Sequence, residues 1–125
     1  MMDLALVVCA FHNFALAVFH LFFPSIFDWP RKLASLDPVN HGIVLVMNLA
    51  LCFILTGVAA FCGWLLVAGP VDRSARYVLF GIAAFWTFRG ILQPIYWGLA
   101  HIGSRLLFGV FILAAGAHFA AAMLA

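Results

Sequence analysis

Charge is what this sequence has least of. Of its 125 residues only 8% are Asp, Glu, Lys or Arg, while 68% are hydrophobic, against about 25% and about 45–50% in an ordinary soluble domain. Six basic and four acidic residues cannot cover a chain of this length in water. The shortage excludes a nucleic-acid-binding module, a secreted disulfide scaffold and a disordered tail. A net charge of +2 is too small to imply an acidic partner.

Acidic residues are fewer than basic ones. Asp3, Asp28, Asp37 and Asp72 are the only acids, and none lies within a long apolar run. Paired-carboxylate acid–base chemistry and carboxylate-bridged di-iron chemistry are therefore removed, and ion-coupled transport is weakened. No Ser-His-Asp arrangement can be built, and HxxxH spacing is missing, so enzymatic activity is not expected. The three cysteines, Cys9, Cys52 and Cys62, lack CxxC spacing. That argues against a zinc site, a redox pair or covalent haem attachment and makes them small buried hydrophobes.

What the chain has in quantity is apolar length. A membrane-spanning helix needs about 20 apolar residues, so four spans take roughly 80 and leave about 45 for ends and loops. The first run, 4–23, opens without the basic segment of a signal peptide and is taken as a span ending at Pro24. An interfacial stretch follows, with Trp29 beside Arg31 and Lys32 and one helical turn after Pro30. Asp37-Pro38 supplies an N-cap and a first-turn proline for a second helix over 38–67, which stops before Gly69-Pro70. A third helix is expected over 75–97 and a fourth over 103–124. Loops this short make neighbouring helices antiparallel. The expected fold is all-α: one transmembrane domain, 1–125, built as an up-down-up-down four-helix bundle with a short interfacial segment between helices 1 and 2. Both ends of the chain and the 69–74 loop then share side A, and the 24–38 and 98–102 loops share side B. Arg31, Lys32 and Arg105 against Arg73 and Arg76 make side B marginally the cytoplasmic one.

Polar residues inside spans are costly and turn toward neighbours or wet cavities. Cys9, Asn13, Ala17 and His20 share one face of the first helix, with His12 beside it. His41, Asn48, Cys52, Thr56 and Ala59 trace a stripe on the second. On the third, Arg89, Gln93 and Tyr96 stand at i, i+4, i+7, next to Pro94, which removes the hydrogen bond to the carbonyl of residue 90 and allows a kink. The fourth begins near His101 and places His118 on a face of small residues. Counted from helix ends, His20, His41, Asn48, Arg89, Gln93, Tyr96 and His101 form the candidate site toward side B. His12 and His118 form a second polar level toward side A.

The stretches His20-Leu-Phe-Phe-Pro24-Ser-Ile-Phe-Asp28-Trp29, Pro38-Val-Asn40-His41-Gly42 and Phe85-Trp86-Thr-Phe-Arg89-Gly-Ile-Leu-Gln93 resemble a family of small four-helix bacterial membrane proteins. The resemblance covers most of the chain. It implies the same architecture and a bacterial inner membrane, attaches no activity, and favours the side-B residues because the motifs fall there.

Three functions fit these residues. The first is a non-enzymatic membrane protein that binds a small amphipathic or lipid-like ligand, or a membrane partner, through the side-B residues. The second is electron transfer through b-type haem on His12 and His118, or through a quinone. The third is an accessory subunit, in a homo-oligomer or a larger membrane complex.

Overall fold

A computed structural model describes residues 1–125. The chain is entirely helical between its loops: α1 Met2–Leu21, α2 Phe23–Ile26, α3 Trp29–Lys32, α4 Pro38–Leu65, α5 Arg73–Trp97 and α6 Ile102–Leu124. The four long helices α1, α4, α5 and α6 are each long and apolar enough to cross a membrane, which is consistent with the expected four-helix bundle and makes this an integral membrane protein. Their outward faces carry large apolar side chains such as Phe11, Phe53, Val46 and Leu113. Such surface suits lipid and not water.

Helix boundaries follow local chemistry. The Asp37 carboxylate accepts hydrogen bonds from the backbone N–H of Val39 and Asn40 and from the Asn40 side chain, so donors left over at the start of α4 are satisfied. Asp72 does the same for α5, accepting from Ala75 N–H at 2.7 Å, and α5 starts two residues before the expected position. Pro24 departs from expectation. It occupies the first turn of α2, because a proline that ends one helix is equally suited to open the next. Asp28, left-handed at φ 51°, separates α2 from α3 and pairs with the exposed Arg31. α5 runs through Pro94 without a break.

The chain divides into two compact units, one of Met1–Cys9 with Cys62–Ala125 and the other of Ala10–Phe61. In the first, α5 and α6 pack as an antiparallel pair. Partners run in opposite directions along the two helices: the Arg76 guanidinium donates to the Ala122 carbonyl at 3.2 Å, Phe80 meets Phe119, Trp86 stacks on Phe111 at 5.7 Å and Gln93 bonds to Ser104. Lipid tails are as apolar as these side chains, so close packing and interhelical hydrogen bonds hold such a pair together. Gly90 allows the approach. A Cβ there would lie 3.1 Å from Ile112 Cδ1.

In the second unit the end of α1 is tied to α4. Asn48 donates from Nδ2 to the His20 carbonyl at 3.0 Å, one of the terminal carbonyls that α1 cannot satisfy itself. An aromatic cluster covers the joint. The His20 ring stacks on Phe23 at 4.1 Å, and Phe23 in turn meets Phe19, Phe27 and Trp29 edge-on.

Candidate functional site

The side-B candidates of the first unit centre on α5. Arg89 donates from Nη1 to Gln93 Oε1 at 3.1 Å. Gln93 donates from Nε2 to Ser104 Oγ at 2.9 Å, and Ser104 donates to the Gly98 carbonyl. Every link has a donor facing an acceptor, and the relay runs from the guanidinium into the loop between α5 and α6. Gly98, at φ 64°, gives the loop the left-handed turn that presents this carbonyl. Gln93 and Ser104 are buried.

Arg89 itself is half-buried. Its guanidinium carbon lies 4.3 Å from the centre of the Phe111 ring and 5.3 Å from that of Trp97, within the range at which ring faces attract a cation. Asp3 is exposed in the first turn of α1, and Asp28, Asp37 and Asp72 are committed to Arg31 and to the starts of α4 and α5. Arg89 thus meets one amide oxygen and two rings, and no carboxylate neutralises it.

The expected face of Arg89, Gln93 and Tyr96 holds for the first two. Tyr96 is 72% exposed and leans on Trp97, while Trp97 takes the place beside Arg89. His101 is exposed at the cap of α6. In the other unit, His20 is committed through Nδ1 to the Leu16 carbonyl, Asn48 serves the α1 terminus, and His41 is partly exposed in the first turn of α4. Ser104 escaped the sequence reading. A serine in a first helical turn looks like a local cap, and only its alignment with Gln93 across the pair gives it another role.

An open apolar groove of about 760 Å³ runs along the α5–α6 pair, lined by Phe80, Thr87, Phe88, Ile91, Ile112 and Phe119 among others. At 3.6 residues per turn Arg89 projects to the opposite side of α5. The Thr87 hydroxyl is spent on the Ala83 carbonyl. The groove and the Arg89 relay are therefore separate features.

A second cluster lies toward the other end of the same unit. Cys9 from α1, Cys62 from α4 and His118 from α6 bring one potential ligand atom each to within 4.8 Å of one another. All three side chains are fully buried. The cysteines are buried thiols, as expected, but two of them converge on a histidine. No spacing motif could reveal this, because the three residues come from three helices. His12 is also buried, in the other unit.

Compared with family models, curated proteins and solved structures, the chain matches none at a level that would assign it to a family.

Proposed function

We propose that this protein binds an anionic amphiphile, a lipid or a lipid-like molecule, in a bacterial inner membrane, with Arg89 receiving its headgroup. The observation that carries this reading is the guanidinium at Arg89, held by an amide and two aromatic rings and left without a counter-charge. An arginine in a span costs about 3 kcal/mol or more when nothing compensates it. A phosphate or carboxylate near the interface removes that cost through charge-assisted, two-pronged hydrogen bonds. The relay through Gln93 and Ser104 anchors the guanidinium to the α5–α6 loop, so the group that meets the ligand is held in place beforehand.

The test is retention of lipid by protein purified in mild detergent, read by mass spectrometry. Arg89→Ala loses anionic lipid relative to the parent, and Arg76→Ala, whose side chain serves the end of α6, does not. Equal retention in both variants makes Arg89 structural and overturns the reading.

A further inference from the structure

The cluster of Cys9, Cys62 and His118 stands apart from Arg89 in chemistry: two thiols and an imidazole meet in an apolar interior that contains no acid. We propose that it is a Zn²⁺ site joining α1, α4 and α6. Three observations lead there.

The first is the donor set. Two sulfurs and one nitrogen are the ligands that zinc prefers, and three protein ligands are the number found in zinc sites with one open position. Ligands on one tetrahedral zinc stand about 3.5–3.8 Å apart, given bond lengths of about 2.0–2.3 Å. Atoms already within 4.8 Å of one another need to close by about 1 Å, which side-chain rotation supplies.

The second is the state of the histidine. Its Nδ1–H donates to the Ala114 carbonyl at 2.8 Å, since a carbonyl can only accept. The lone pair is therefore on Nε2. A backbone carbonyl that fixes the ring and its tautomer is the outer-sphere partner ligating histidines have.

The third is charge. As the two Zn–S bonds form, two thiol protons leave to solvent, and Zn²⁺ with two thiolates and a neutral imidazole sums to zero. In a fully buried setting neutrality decides, because a net ionic charge away from water is penalised far more than a polar group. Cu⁺ in the same set leaves one negative charge uncompensated.

The experiment uses full-length protein in mild detergent, treated with a chelator and then titrated with Zn²⁺ against a chromophoric competitor. Co²⁺ serves as the spectroscopic stand-in. One equivalent binds per chain, and Co²⁺ shows thiolate-to-metal charge transfer. Cys62→Ala and His118→Ala each weaken binding by roughly 100-fold or more, as expected for a lost ligand when outer-sphere losses already reach that scale. Cys52→Ala binds like the parent. Should the ligand variants fail to fold, alkylation of the parent in mild denaturant answers instead: Zn²⁺ slows modification of Cys9 and Cys62 and leaves Cys52 unaffected. The proposal is overturned by absence of the charge-transfer band, by binding that survives either ligand variant, by equal protection of all three thiols, by binding of Cu⁺ alone, or by a haem spectrum that depends on His118.

Discussion

At Arg89 the important quantity is the number of acceptors. The guanidinium has one side-chain oxygen, Gln93 Oε1, and that amide in turn bonds Ser104. Removing the middle of such a relay leaves both neighbours short. Gln93→Leu is expected to destabilise the protein by about 1–3 kcal/mol, the range for an unsatisfied buried polar group, seen as a lower thermal midpoint in detergent. Adding Arg89→Leu should cost less than the two single changes together, because the cation that lost its acceptor is gone as well. An unchanged midpoint for Gln93→Leu would remove the relay from the stability argument. Asp37 gives a second residue-level expectation. The Asn40 side chain, then its backbone N–H, hold the Asp37 carboxyl below its ordinary value. The sign follows: the cap is fully present above the unfolded carboxyl's pKa, about 3.9, and is lost as pH falls through the lower folded value. NMR titration should show Asp37 below the usual range, and Asn40→Ala should bring it back up. Arg89 and Gln93 could be read from the sequence because i, i+4 spacing on one helix is a sequence property. Ser104 and Trp97 could not, since partners across a helix pair or beyond a proline depend on packing.

At the scale of elements, the four long helices were legible from their apolar length and from the Asp37-Pro38 start of α4, whereas the Asp72 cap was not read and α5 begins two residues before its expected start. α2 was hidden by a proline that reads as a stop from one direction and a start from the other. The α5–α6 interface offers the sharpest test of packing. Gly90→Ala gains the helix preference of alanine, about 0.5–1 kcal/mol, but brings a methyl to 3.1 Å from Ile112 Cδ1, so the two effects oppose each other. Ile112→Val removes the obstructing methyl. Gly90→Ala should thus be close to neutral in the parent and stabilising in the Ile112→Val background, with a coupling of about 0.5 kcal/mol or more in thermal unfolding. Additive effects would mean that α6 does not approach α5 at Gly90.

For the molecule as a whole, the shortage of charge places the loops more firmly than it places any function. Cysteine convergence was invisible to spacing rules, yet helix ends hinted at it: Cys9, Cys62 and His118 each lie within about two turns of a helix terminus on the side shared by both chain ends in the expected topology. Depth, a property of the folded chain in its membrane, carries that information where sequence separation does not. The same reasoning fixes a final expectation. α1, with 20 residues, and α6, with 23, have lengths of about 30 Å and about 35 Å at 1.5 Å per residue, enough to cross the hydrocarbon core once. α4, at 28 residues, reaches about 42 Å and crosses with tilt or overhang. If each long helix crosses once, Ser35 before α4 and Ala100 before α6 share a side, and Ser74 at the start of α5 is on the other. All three are exposed, whereas Cys9, Cys52 and Cys62 are buried and should resist an impermeant thiol reagent. In sealed, uniformly oriented vesicles, Ser35→Cys and Ala100→Cys should label together and Ser74→Cys in the opposite condition, with all three reacting once detergent opens the membrane. Labelling of residues 35 and 74 from the same face would mean that α4 does not span, and the up-down-up-down order would fall with it.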